Sequence, residues 1–150
     1  MRLVILDSGP LGLMANPRAG SRPEECRAWA TNLTESGIRL FVPEIADYEV
    51  RRKRIHINST QGVRRLDLIK ETLEYAPITT DVMMLAAELW AASRSAGLPT
   101  AGPDSLDGDC ILAAQAILAG GLTDIATIAT DNVAHLSRYA DARLWETITP

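Results

Sequence analysis

Cysteine is nearly absent: the chain of 150 residues has only Cys26 and Cys110. Each lies in a helical pattern without a CxxC or a Cys/His cluster. That excludes a zinc site and a disulfide framework, and makes both small apolar core residues. Basic charge is also scarce. Fifteen Lys and Arg stand against nineteen Asp and Glu, a formal charge of −4, which excludes a surface coated for nonspecific nucleic-acid binding and leaves room for a local basic strip. Long apolar runs are missing as well. Residues 3–6 are cut by Asp7, too early for a signal-peptide core, and Asp81, Glu88 and Arg94 interrupt the most hydrophobic stretch, far short of the ~18 residues of a membrane span. The expected address is cytoplasmic, with no membrane contact. What is present, 47% hydrophobic and 23% charged residues, is the composition of a folded domain, and the length suits a single domain, 1–150, with its own core.

Residues 3–6, Leu-Val-Ile-Leu, form a continuous apolar run that ends at Asp7-Ser8-Gly9-Pro10, as a buried parallel strand meets a turn. Cys26, Trp29, Ala30 and Leu33 recur at helical spacing over 23–36, and Gly37 supplies the stop. Residues 39–42 read as a second strand closed by Pro43. Helices follow through Ile45, Tyr48, Arg52 and Ile55, and over 60–74 through Val63, Leu66, Ile69 and Leu73. A short strand is expected at 76–79, then a helix capped by Thr80 or Asp81 and running to Gly97. The segment 98–107, rich in Pro, Gly, Ser and Asp, reads as a loop, with Ser105 or Asp107 capping a helix that reaches Ala119. A strand at 125–129 ends in Thr130-Asp131-Asn132, and 142–146 can add an edge strand. Strands alternating with helices predict an α/β fold, a central parallel sheet with helices on both faces.

In such sheets ligands bind beyond the carboxyl ends of the strands, near a topological switch point. Asp7 and Asp131 each follow a predicted strand, Glu49 lies one turn into a helix that follows another, and Asp107 and Asp109 lie where a helix begins. If these ends converge, carboxylates ~5 Å apart cost roughly 3 kcal/mol per pair at an effective dielectric near 20. Such a cluster must bind a cation or take up protons. With oxygen ligands alone the cation is a hard one, Mg²⁺ or Mn²⁺, and such an ion suits phosphoryl chemistry because it polarises a phosphate oxygen and acidifies water.

Four stretches carry a family resemblance. Leu3-Val4-Ile5-Leu6-Asp7-Ser8, Pro43-Glu44-Ile45-Ala46-Asp47-Tyr48-Glu49-Val50-Arg51-Arg52, Asp109-Cys110-Ile111-Leu112-Ala113-Ala114 and Ala129-Thr130-Asp131-Asn132 resemble, in order and spacing, the acidic motifs of PIN-domain ribonucleases. Among these the chain is most similar to the VapC toxins of type II toxin–antitoxin modules. The resemblance spans essentially the whole chain and implies a metal-dependent endoribonuclease that dimerises and is inhibited by a cognate antitoxin. It implies Asp7, Glu49 and Asp109 as ligands of Mg²⁺ or Mn²⁺, with Asp131 completing the acidic pocket. Thr130 and Asn132 match the polar positions around the fourth motif, and Ser8 matches the hydroxyl position after the first. His135 stands where many members carry another acid.

Each residue also has a plain reading. Asp7 can be a turn former before Gly9-Pro10, and Glu49 a solvated partner of Lys53 at i+4, worth ~0.3 kcal/mol. Asp47 competes with Glu49, but the spacing to Arg51-Arg52 favours Glu49. Asp109 is assigned as ligand and Asp107 as cap or supporting group, with Asp104 facing solvent in a loop. Residues 51–54, with Arg64 and Arg65, are the only basic concentration. Arg52 and Lys53, at i+3 and i+4 from Glu49, share its side and can hold an RNA phosphate, whereas Arg51 and Arg54 also fit a solvated helix surface. His56 and His135 match no motif of a metal-free ribonuclease. Trp29, Trp90 and Trp145 read as core or interface anchors, and the face with Met83, Met84 and Trp90 as core or dimer surface. Two alternatives stand beside the ribonuclease: a catalytically silent PIN-like binding module, and an aspartyl-nucleophile phosphatase using Asp7, disfavoured by Gly9 where a second aspartate belongs.

Overall fold

The computed structural model describes residues 1–97 and 103–150, and of residues 103–106 the backbone alone. Its elements run β1 (Arg2–Leu6), α1 (Ser8–Met14), α2 (Ser21–Glu35), β2 (Arg39–Pro43), α3 (Glu44–His56), α4 (Thr60–Thr72), β3 (Glu74–Ala76), α5 (Thr80–Ser95), α6 (Pro103–Gly120), β4 (Ile125–Thr130), α7 (Val133–Leu136) and β5 (Ala142–Leu144), followed by a 3₁₀ turn at Trp145–Thr147. The five strands form one all-parallel sheet in the order β3-β2-β1-β4-β5. The α/β expectation therefore holds.

The apolar run that starts the chain becomes the central strand because both of its faces are covered. Val4 and Leu6 face one side, with Leu11, Cys26, Leu33, Val50 and Leu66 from α1 to α4. Leu3 and Ile5 face the other, against Leu112 and Ala116 of α6 and Leu136 of α7. All four strand residues are at most 1% exposed, and each contributes roughly 1.5–3 kcal/mol through burial. Helix α5 packs on α6 through Val82, Ala86, Cys110 and Ala114. The left-handed glycine stops fall on Gly37, Gly97 and Gly121, with φ of 87°, 63° and 60°, a region open to glycine at little cost.

Several local expectations are corrected. Ser8-Gly9-Pro10 is the first turn of α1 rather than an open turn, with Asp7 as its N-cap. The short third strand lies at Glu74–Ala76, ahead of 76–79. Thr79 caps α5, its Oγ1 accepting from Val82 N at 3.2 Å. Helix α6 begins at Pro103, so Asp107 is inside it and caps nothing, and Asp104 belongs to the helix. Proline suits a first helical position because its missing N–H would have no intrahelical partner there.

Candidate active site

Strand β1 sends its connection to β2 on one side, while the chain later returns to β4 on the other, so the switch point lies between the carboxyl ends of β1 and β4. Asp7 stands there. Its N–H donates to Ala129 O at 2.9 Å, continuing the ladder past the Leu6–Ala129 pair. Asp7 Oδ1 accepts from Ser8 N at 2.7 Å, and Oδ2 accepts from the fully buried Thr130 hydroxyl, also at 2.7 Å. Thr130 Oγ1 in turn accepts from Asn132 N at 2.8 Å. Ser8 and Thr130 thus hold the Asp7 carboxylate, and Asn132 acts on it only through the Thr130 hydroxyl. Burial pushes its pKa up, the bonds from Thr130 and Ser8 oppose the rise, and the charge of Asp131 adds to it.

Two further acids share this field. Glu49, from α3, has its pKa raised by burial and by the charge of Asp7, against the pull of Arg52, Ser8 and Lys53. A Cβ at Gly108 would stand 3.0 Å from Glu49 Oε1, so the missing side chain on α6 is what lets Glu49 lie against that helix. Asp109 is one residue further along α6. Burial, then the Asp7 charge and, more weakly, Glu49 raise it to about 6, with His135 opposing. Asp131 is exposed, and its Oδ2 lies so close to Gly9 that any side chain there would collide with it. The structure brings Asp7, Glu49 and Asp109 into one group in which the Asp7 charge acts on the other two, with Asp131 at its rim acting on Asp7. Among the described residues no three His, Cys, Asp or Glu side chains are drawn close enough to hold an ion as they stand.

A cleft of about 660 Å³ borders this group, with Ser8, Glu49 and Asp131 at its acidic end and Lys53, Arg54 and His56 along its wall, while Asp7 and Asp109 lie behind its lining. The basic run has divided fates. Lys53 and Arg54 reach the cleft, while Arg52 stacks on Tyr48 at 5.0 Å and is outside the lining, though near enough to Glu49 to act on its charge. Arg51 is spent on Asp47 and Asp67, at 2.9 and 2.8 Å. Asp47 itself is buried, bonded by Arg51, by Lys70 Nζ at 2.9 Å and by Tyr75 OH at 3.0 Å. Burial would raise its pKa, but the three donors outweigh burial and hold it low. Asp47 therefore ties α3 to α4 and β3, away from the cleft. Asp107 is exposed and faces a different hollow, with Met83 and Trp90. Sequence reasoning missed Gly108 and Arg22. Neither has a local signal, since each matters through a contact with another element.

Thr130→Val tests the Asp7 support. The change keeps the shape, but leaves Asp7 Oδ2 and Asn132 N without their partner in a largely buried place. It should cost about 1–3 kcal/mol, read as a lower midpoint in thermal melts, whereas Thr130→Ser should restore most of it.

No protein-family model matches the chain, and no curated protein matches it in sequence. Solved structures do match. A chain of VapBC2 from Rickettsia felis, crystallised with a fragment of promoter DNA, superposes with a TM-score of 0.68 at 17% identity, over 94% of this chain and 97% of that one. A chain of VapBC-1 from nontypeable Haemophilus influenzae gives 0.67 at 17% identity, over 97% and 99%. A chain of FitAcB from Neisseria gonorrhoeae gives 0.66 at 16%, over 97% and 99%. The fold is PIN-like, similar to that of these VapBC and FitAcB chains.

Proposed function

We propose that the chain is a Mg²⁺- or Mn²⁺-dependent endoribonuclease, the toxin of a toxin–antitoxin pair, acting in the cytoplasm as a homodimer and silenced by a cognate antitoxin. One observation carries this reading: Asp7, Glu49 and Asp109, from three separate elements, face one another beyond the sheet's carboxyl edge, where burial raises all three and the Asp7 charge raises the other two. Hard oxygen donors on a PIN-like fold suit a hard divalent ion, and the solved structures it superposes on are VapBC and Fit complexes.

Asp7, Glu49 and Asp109 would hold the ion, with Asp131 completing the pocket. A divalent ion supplies charge stabilisation at a phosphodiester and acidifies water. The chain does the rest. Thr130 and the Ser8 amide hold Asp7 in one orientation, Asn132 fixes the Thr130 hydroxyl, and Lys53, with Arg52 behind it, draws a phosphate toward the acids.

A cation bound only by the native pocket stabilises the fold by linkage, about 2.7 kcal/mol at a hundredfold excess over Kd. Saturating Mn²⁺ should therefore raise the thermal midpoint by about 5–10 °C. An unchanged midpoint together with no calorimetric heat of binding would remove the metal site. The silent-module reading draws support from the acids' not being gathered to ligating distance. Incubation of RNA with Mn²⁺ separates the two: cleavage that ends when the metal is chelated favours the enzyme, and inertness with metal bound favours the module.

A further inference from the structure

Arg22 enters the site from α2, remote in sequence from every acidic motif. Its Nη2 lies 3.0 Å from Glu146 Oε1 and 3.8 Å from Asp131 Oδ1, and its guanidinium covers the Trp145 ring at 4.9 Å. The side chain is nonetheless 46% exposed and lines the cleft together with Glu49 and Lys53. Both carboxylates are served by the same nitrogen, and among the described residues Nε and Nη1 have no protein partner. The 3.8 Å approach to Asp131 is too long for a hydrogen bond. The result is a planar cationic fork, oriented by an indole and one surface carboxylate, with donors still open beside the acidic group. Phosphate is the ligand such a fork matches, through paired charge-assisted hydrogen bonds. A cleft of about 660 Å³ is in the range of sites for one small ligand, room for a nucleotide or two of an RNA chain.

We propose that Arg22 anchors a backbone phosphate of RNA in this cleft, so that the neighbouring phosphodiester lies beside Glu49 and Asp131 at the edge of the acidic group. The assignment rests on the ribonuclease reading above and adds a substrate-binding residue to it. It also gives Glu146 a part, as a carboxylate that competes with RNA for the same guanidinium.

The test is binding of a fluorescent oligouridylate in Mg²⁺ across a salt series, with Asp7→Asn as the non-cleaving parent of full length. Arg22→Gln should weaken binding about tenfold and reduce the slope of log affinity against log salt by about 0.7, the value for one phosphate contact on a single strand. Arg22→Lys should recover the slope. Glu146→Gln should tighten binding in the parent and do nothing once Arg22 is Gln. Weaker binding with an unaltered slope would mean that Arg22 only props Asp131 and Trp145, and equal binding would mean that it faces no phosphate. Either result overturns the proposal while leaving the ribonuclease reading in place. A parent that binds no oligouridylate at any salt overturns both.

Discussion

Asp109→Asn should lower RNA cleavage by about 100-fold or more, while Asp107→Asn, two residues away, should stay within roughly twofold of wild type. The two side chains are about 200° apart around α6, and the structure sends them to different places: Asp109 into the field of Asp7 and Glu49, Asp107 to the hollow beside Met83 and Trp90. Removing a group that organises charge at the reacting phosphate is worth two to three orders of magnitude in comparable sites. Stability should move the other way. The carboxyl of Asp109 is raised from 3.8 to about 6 in the folded chain, so without metal the native state holds its proton more tightly than the unfolded state does. Its contribution is then complete below about pH 4 and is lost as pH rises through 6. Metal-free Asp109→Asn should consequently be more stable than wild type at pH 7, by about 1–2 kcal/mol once solvent screening is allowed for, and the gap should close toward pH 4. Urea melts at the two pH values, together with RNA turnover for both variants, check this. Loss of activity in Asp107→Asn with normal turnover in Asp109→Asn would reverse the assignment.

Expression of the wild-type chain without an antitoxin should arrest growth, and Asp7→Asn at equal protein level should abolish the arrest. The substitution separates charge from shape. Asparagine keeps an oxygen for the Ser8 amide, and its amino group can donate to Thr130 Oγ1, whose hydroxyl rotates to accept it. The capping bond of α1 and the β1–β4 junction therefore persist, and soluble yield and melting midpoint should stay near wild type, because the charge lost from a largely buried acid offsets the acceptor lost to the Thr130 hydroxyl. Only the capacity to hold a cation and polarise a phosphate disappears. Colony counts on induction, with immunoblots to equalise protein, are the measurement. Equal arrest by both would remove catalysis at Asp7 as the cause of toxicity.

The central strand was legible because a four-residue apolar run followed by an acid has few other uses, and the helix stops because glycine marks them. Helix α1 was not. Ser-Gly-Pro-Leu-Gly has the composition of a turn, and the helix forms because Pro10 falls within the first turn, where no intrahelical N–H is needed, and because Leu11 and Met14 are buried. The start of α6 was hidden the same way, by a proline that opens a helix. The acids could be named from their positions after strands and in the helices, but not their neighbours. Arg51 and Arg54 look alike in sequence, yet one is drawn into the Asp47 knot and the other reaches the cleft. Arg22 has no local pattern at all, because its role depends on Trp145 and Glu146, more than a hundred residues away.

The pairing of Leu6 with Ala129 sets how the site fails on heating. Asp7 and Thr130 are the next step of that ladder, so their 2.7 Å bond inherits the accuracy of the most enclosed strands in the molecule. Amides of such strands exchange with solvent only when the whole domain opens. Glu49 and Asp109 instead ride on helices, whose segments open more cheaply than a central strand. Gentle warming should thus blunt the site by letting the helix-borne acids drift while Asp7 stays in register, an injury that cooling reverses without refolding.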